Sequence, residues 1–174
     1  MESIYAIDSH NGLSKNGIIP WKSKTDMLFF MNKTKNNIVI MGKNTFFSLP
    51  LEHRPLKNRL NIVLTSTPHV YKDYKHNSVL FTDDSTIYQD ILQNKTNYYE
   101  MYKCLQVDFT IFFIGGKTIY EQFISLCDKI WVTQIKCNYN CDLFLDYNYS
   151  DQFKVNLYKE DDELKILEYT RIRI

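Results

Sequence analysis

An α/β domain built on a central, mostly parallel mixed β-sheet is the fold class that this 174-residue chain predicts, and three observations carry it. Three apolar runs are continuous rather than alternating, the mark of strands buried on both faces beneath helices. Helical stretches fall between those runs. The C-terminal part instead alternates apolar and polar residues, as an antiparallel edge hairpin does. About eight strands and about four flanking helices are expected, in a single domain over residues 1–174.

In chain order, Ser3 to Ile7 reads as the first strand and Ser23 to Thr34 as the first helix. The first continuous run, Asn37-Ile38-Val39-Ile40-Met41-Gly42, leads into a short helix from Lys43 to Leu49. The second, Leu60-Asn61-Ile62-Val63-Leu64-Thr65, is followed by a strand from Ser78 to Phe81 and a helix from Ser85 to Asn94. Gln93 to Leu105 is tyrosine-rich and reads as an irregular surface insertion. The third run, Phe109-Thr110-Ile111-Phe112-Phe113-Ile114-Gly115-Gly116, precedes a helix from Lys117 to Leu126 and a strand from Ile130 to Ile135. Phe153 to Tyr158 and Leu164 to Ile174 form the hairpin around Asp161-Asp162-Glu163.

Composition narrows the function classes. Hydrophobic residues are 44% and aromatics 15%, a globular balance long enough for a core without disulfides or metal. A net charge of +1 supplies no field for a polyanion, so nucleic-acid binding is not expected. The N-terminus MESIYAIDSHNG lacks the pattern of a signal peptide, and no apolar run reaches the roughly 20 residues of a membrane span, so a cytoplasmic protein is expected. Cys104, Cys127, Cys137 and Cys141 lack zinc-site spacing and read as free thiols.

One carboxylate stands out, in Pro20-Trp21-Lys22-Ser23-Lys24-Thr25-Asp26-Met27-Leu28-Phe29-Phe30. Ser23-x-x-Asp26 matches a capping box, with Asp26 complementing the helix dipole. Yet Phe29 and Phe30 fall at i+3 and i+4 on the face of Asp26, and Pro20-Trp21 adds bulk at the same end. A carboxylate walled by aromatics has a raised pKa, which suits it to hold or pass a proton near neutral pH.

Three strand ends offer anion sites at the presumed carboxyl edge of the sheet. Gly42-Lys43-Asn44-Thr45 sets a cation and a hydroxyl at a helix start, Thr65-Ser66-Thr67 offers hydroxyls, and Gly115-Gly116-Lys117-Thr118 lets a ligand approach the backbone. Together they suit an extended phosphorylated ligand such as a dinucleotide. Among His53, Arg54, Lys57 and Arg59, the last precedes a buried strand, where a guanidinium can grip a carboxylate in bidentate fashion.

Across nearly its whole length the chain resembles dihydrofolate reductases. The matching motifs are Ala6-Ile7, Gly12-Leu13-Ser14-Lys15-Asn16-Gly17, Pro20-Trp21 with Asp26 and Phe30, and Met41-Gly42-Lys43-Asn44-Thr45. Ser48-Leu49-Pro50, Arg54-Pro55-Leu56-Lys57-Asn58-Arg59, Ile114-Gly115-Gly116 with Ile119-Tyr120, and Val132-Thr133 with Asp142 follow in order.

The resemblance implies a reductase of that fold, with NADPH as cofactor and dihydrofolate as substrate, serving one-carbon metabolism and thymidylate synthesis. Asp26 would hydrogen-bond the pterin and assist protonation of its ring nitrogen, with Thr133 as partner and Trp21 positioning a water. Ile4, Tyr5, Ile19, Met27, Phe30, Leu49, Leu56, Ile114 and Tyr120 would line the substrate pocket, and Arg59 would bind the glutamate carboxylate. Ala6, Leu13, Gly17, Lys43, Asn44, Thr45, Leu64, Thr65, Ser66, Gly115, Gly116, Lys117 and Thr118 would hold the cofactor. Ser9 to Ile19 would be a mobile flap, and Gly115-Gly116 would carry a cis peptide. The resemblance further implies a monomer, antifolates such as methotrexate as inhibitors, no metal, and at this length no thymidylate synthase on the same chain.

Several positions depart from the family pattern. Ser14 replaces a flap glycine, and Thr65-Ser66 stands where many members carry Ser-Arg, which shifts any grip on the 2′-phosphate of NADPH to Lys43 and the hydroxyls. His53 and Asp146 also differ from common choices. Two rival readings are the related reductase of riboflavin biosynthesis, which Asp26 and Arg59 together disfavour, and a folate- or nucleotide-binding protein without turnover.

Overall fold

The computed structural model describes residues 1–149 and 151–173. Strands β1 (Glu2–Ile7), β3 (Ile38–Gly42), β4 (Leu60–Leu64), β5 (Val79–Thr82), β6 (Ile111–Phe113), β7 (Lys129–Ile135), β9 (Phe153–Glu160) and β10 (Leu164–Arg171) form one sheet in the order β5-β4-β3-β6-β1-β7-β10-β9. Pairing is parallel from β5 to β7 and antiparallel for β7-β10 and β10-β9. The continuous runs are therefore the inner parallel strands, and the alternating hairpin is the edge, as predicted; Ile174 lies outside the described residues.

Side-chain alternation divides the core in two. Tyr5, Ile7, Ile38, Ile40, Ile62, Phe113 and Val132 face one way and bury Ile87 and Ile91 of α3 (Ile87–Gln93) and Ile119, Tyr120 and Phe123 of α5 (Lys117–Phe123). Ile4, Val39, Met41, Val63 and Trp131 face the other way, beneath α1 (Lys24–Thr34) and α2 (Lys43–Ser48). Helix α1 is fixed to that face by Phe29, whose ring meets Trp131 at 5.6 Å and Tyr158 at 5.4 Å. Its Lys33 ammonium sits 3.7 Å from the Trp131 ring centroid, a cation–π contact.

Three expectations need correction. The Gln93–Leu105 segment is not irregular, because it carries a fifth helix, α4 (Lys95–Met101). Asp90 organises it: its carboxylate accepts Asn94 Nδ2 at 2.7 Å and the Tyr98 hydroxyl at 2.8 Å, so the chain turns at Asn94 and becomes helical again. The helix expected to reach Leu126 ends at Phe123 in a 3-10 turn over Ile124–Leu126. A small second sheet pairs β2 (Gly12–Ser14) with β8 (Leu143–Phe144), so the flap is partly ordered rather than a plain loop. Among the described residues no helix is long and apolar enough to cross a membrane.

Two buried asparagines at strand starts hold loops against the sheet. Asn37 Oδ1 accepts the Thr110 N–H at 2.7 Å, tying β3 to the approach of β6. Asn61, fully buried in β4, accepts the Leu56 N–H at 3.0 Å and donates to the carbonyls of Leu56 at 2.9 Å and Arg59 at 3.1 Å. Asn61→Leu leaves those groups unpaired in an apolar setting, and a loss of about 2 to 4 kcal/mol is expected. Urea denaturation measures it, and an unchanged midpoint would contradict this role.

Candidate active site

Helix α1 begins where Ser23 Oγ accepts the Asp26 N–H at 3.2 Å, so Ser23 is the N-cap that its pattern predicts. The other arm of a capping box is not what holds the Asp26 carboxyl. Its hydrogen-bonding influences are side chains, Thr133 on β7 and Trp21, rather than the Ser23 backbone. Capping and chemistry are thus divided between Ser23 and Asp26.

Burial raises the Asp26 carboxyl above the ordinary aspartate value, while Thr133 and Trp21 pull it part of the way back. Trp21 Nε1–H is buried and makes no close hydrogen bond, so its pull on the carboxyl is longer-range than that of a direct contact. Tyr139 packs edge-on against the Trp21 ring at 5.7 Å and fixes its plane. Behind the carboxyl, the buried Tyr120 hydroxyl donates to the Ile4 carbonyl at 3.1 Å, and burial together with the neighbouring Tyr5 and Asp26 keeps that phenol protonated.

The apolar wall beside Asp26 comes from both sides of the cleft. Ile4 and Trp21 are buried, and Phe30, Leu49, Leu56 and Ile114 pack half-buried against them. At the mouth, Ile19 is 61% and Met27 57% exposed, an apolar rim of the kind that marks a ligand groove. Tyr5 does not belong to this wall. Strand alternation turns its side chain to the opposite face, where it packs on Tyr120 and bonds the Tyr149 hydroxyl, so only its backbone borders the cleft. Leu13 likewise buries its side chain in that second core.

At the far end of α1 lies Arg59, 5% exposed. Its Nε donates to Thr34 Oγ1 at 2.8 Å, and its terminal nitrogens donate to the carbonyls of Lys57 at 2.5 Å and Met31 at 3.0 Å. All three partners are neutral. Burial lowers its pKa, and a guanidinium in that position holds its charge without a carboxylate among those partners. Among the described residues, two of its five donors have no hydrogen-bond partner.

The remaining candidates lie along the carboxyl edge of the sheet. Gly42 N donates to the Gly115 carbonyl at 2.8 Å, which brings the starts of α2 and α5 side by side. Gly42 and Gly116 are the N-caps of these helices and provide no side-chain cap, so Lys43, Asn44 and Thr45 face the same edge as Gly115, Gly116, Lys117 and Thr118. A Cβ on Gly116 would come within 3.3 Å of Thr45 Oγ1, so the two turns pack closely. Leu64 ends β4 opposite Gly42, with Thr65 and Ser66 directly after it, and Ala6 lies near the end of β1, opposite Thr133 of β7. These residues fit an extended phosphate-bearing group. The peptides Gly115-Gly116 and Arg54-Pro55 are cis.

Over the cleft, the flap turns at Asn16-Gly17, with φ of 51° and 77° and reciprocal Lys15–Ile18 hydrogen bonds of 2.8 and 3.1 Å, a geometry that a two-residue Asn-Gly hairpin favours. Its tip is held by Asp142, whose carboxylate accepts the Asn16 N–H at 2.8 Å and whose own N–H donates to the Ser14 carbonyl at 3.0 Å. Sequence reading placed Asp142 in a motif without this role. A lone Asp in a loop carries no spacing signal for a contact 126 residues away.

A doubly covered sheet that sets a half-buried carboxyl and a buried guanidinium at opposite ends of one apolar wall has the layout of an α/β enzyme. The sequence model of a family described as dihydrofolate reductase matches residues 1–173. The dihydrofolate reductase of Ureaplasma parvum serovar 3 is 32% identical over 173 residues, 94% of this chain and 99% of the relative. That of Aedes albopictus is 27% identical over 170 residues, 92% of this chain and 85% of the relative. The bifunctional dihydrofolate reductase-thymidylate synthase of Daucus carota is 34% identical over 151 residues, 82% of this chain and 27% of that longer protein. The chain belongs to the dihydrofolate reductase family and is an oxidoreductase.

The raised value of Asp26 has a consequence for stability. A carboxyl that binds its proton more tightly when folded costs stability once it ionises, so the protein loses stability as pH rises through the raised value. Asp26→Asn removes that cost. Its melting temperature is expected to exceed that of the parent at pH 7, and the difference to shrink as pH falls toward the ordinary aspartate value of about 4. Equal melting temperatures at neutral pH would contradict the burial argument.

Proposed function

We propose that the protein is an NADPH-dependent dihydrofolate reductase, converting 7,8-dihydrofolate to 5,6,7,8-tetrahydrofolate for one-carbon metabolism and thymidylate synthesis. One observation carries the reading. Asp26 and the Arg59 anchor Thr34 stand eight residues apart on α1, roughly 12 Å of helix rise, with an apolar wall between them. That spacing suits a flat heterocycle bonded at Asp26, an aromatic linker along Phe30, Leu49 and Leu56, and a carboxylate at Arg59.

The reduced nicotinamide group supplies the hydride when bound. The chain's own residues do the rest. Hydride addition to a C=N bond is slow unless the nitrogen is protonated, because charge builds there in the transition state. Asp26, its proton affinity raised by burial, holds the heterocycle by hydrogen bonds and favours its protonated form. Thr133 orients the carboxyl, Trp21 and Ile19 restrict water, and Ile4 and Ile114 fix the ring against the sheet, while the Tyr120 hydroxyl, buried in the other core, holds the Ile4 carbonyl in place. Gly17 lets the flap turn tightly above it. Lys43, Thr45, Thr65, Ser66, Lys117 and Thr118 supply the cation and hydroxyl groups for the phosphates.

Purified protein is expected to oxidise NADPH only when dihydrofolate is added, and absence of that dependence in a folded sample would end this reading. Asp26→Asn should lower kcat at pH 7 by about 100-fold or more. Arg59→Lys keeps the charge but loses the planar fork, so KM for dihydrofolate should rise about tenfold or more with little change in kcat. A reduced pterin without the glutamate tail should be turned over equally by the parent and Arg59→Lys, and a parallel loss on both substrates would move Arg59 out of the binding site.

A further inference from the structure

Asp8 is a carboxylate that the chemistry above does not use, and it is buried to 2% exposure just beyond the carboxyl end of β1. It is not paired with a cation. Oδ1 accepts the His10 and Gly12 N–H groups, both at 2.9 Å, and Oδ2 accepts the Tyr139 N–H at 3.0 Å. Its own N–H donates to the Gly12 carbonyl at 2.9 Å, closing the turn at the flap root. Burial pushes its pKa up, but these backbone donors and the Cys141 thiol outweigh that and leave it below the ordinary value.

The two loops that this carboxylate joins each lead to the reacting end. On one side, Gly12 starts β2 and the flap, whose tip reaches Asp142 through Asn16. On the other, Tyr139 packs edge-on against Trp21, whose indole acts on Asp26. Close packing makes the junction stiff: a Cβ on Gly12 would lie 2.4 Å from Cys141 Cβ and 2.9 Å from Asp8 Oδ1, so the flap root fits against this loop only because residue 12 is glycine. Cys141 is directly followed by Asp142, so one loop carries both attachments of the flap.

We infer that Asp8 is a positioning residue: by clamping the flap root to the 137–142 loop it sets both the height of the flap over the cleft and the placement of Trp21 beside Asp26. The role in turnover rests on the function proposed above, whereas the coupling between root and tip does not. In Asp8→Asn, an amide NH2 replaces one acceptor and faces backbone donors, so the clamp is broken with little change in size.

The test combines amide hydrogen exchange on the free, full chain with single-turnover kinetics. Asp8→Asn should speed exchange at His10, Gly12 and Tyr139, and also at Asn16, which Asp8 does not touch and Asp142 holds. An Asn16 rate that stays at the parent value overturns the coupling. The single-turnover rate of dihydrofolate-dependent NADPH oxidation, per titrated active site, should fall about tenfold with KM for dihydrofolate within about twofold. A merely structural Asp8 would lower the melting temperature and the number of active sites, leave the rate per site unchanged, and so overturn the positioning role. Should Asp8→Asn not fold, Tyr139→Leu keeps Asp8 and the backbone donor but removes the ring against Trp21. A lowered single-turnover rate supports the route through Trp21, and an unchanged one overturns it. Failure of the parent to turn over would sink the functional reading alone, since the exchange at Asn16 decides the coupling independently.

Discussion

The desolvation of the half-buried Asp26 carboxyl is the interaction on which the rest of the site depends. Its hydrogen-bonding influences are the hydroxyl of Thr133 and a longer-range indole N–H, and no cation is among the causes that set its proton affinity. An uncompensated carboxyl in such a place is costly, so everything around it must hold it there. The Ser23 cap starts α1 at the right residue, and the Phe29 ring with the Lys33 ammonium fixes the helix on Trp131. Those anchors lie on the side of α1 that meets the sheet, which leaves Asp26, Met27 and Phe30 to border the cleft. The helix is therefore secured by one set of side chains and works through another.

Arg59 presents the same logic with the sign reversed. Its guanidinium is desolvated by the loop that Asn61 ties down and by the last turn of α1, and its three bonds all go to neutral oxygens. A buried cation and a desolvated, half-buried carboxyl that do not meet are each less stable than they would be as a pair. They stay apart because α1 holds them at opposite ends of one apolar wall. A ligand with a hydrogen-bonding head and an anionic tail would relieve both, which is the complementarity that the proposed function calls for.

Much of this was legible in the chain itself. Continuous apolar runs located the inner strands because burial on both faces leaves no polar alternation to confuse the period, and the cap at Ser23 was readable because its hydrogen bond is local. The candidate site residues at strand ends fall along one edge because a parallel sheet brings its carboxyl ends together whatever the strand order. What escaped was long-range or depended on facing. Tyr5 neighbours Ile4 in sequence but points to the other core, since a strand reverses its side chains at every residue. The helix Lys95–Met101 was hidden because its start depends on the Asp90 side chain reaching Asn94 and Tyr98, rather than on a periodic apolar face. Asp142 gave no signal of its bond to Asn16, because that partner lies in a distant loop.

The flap shows how these distant contacts divide rigidity from motion. Its short ladder to β8 ties it to the 143–144 strand, and the Asn16-Gly17 turn gives its tip a defined shape. The attachments differ in exposure: the bond from Asn16 to Asp142 is at the surface, where water competes for both partners, whereas the Gly12 bond to Asp8 is buried. Opening a solvent-exposed hydrogen bond exchanges it for bonds to water at small net cost, while opening a buried one leaves groups unsatisfied. The attachment at the tip is thus the cheaper of the two to open, and the one at the root the costlier. Ser14 sits between them with its carbonyl accepting the Asp142 N–H, a bond that needs no glycine, so the residue that departs from the family pattern remains compatible with a flap attached in this way.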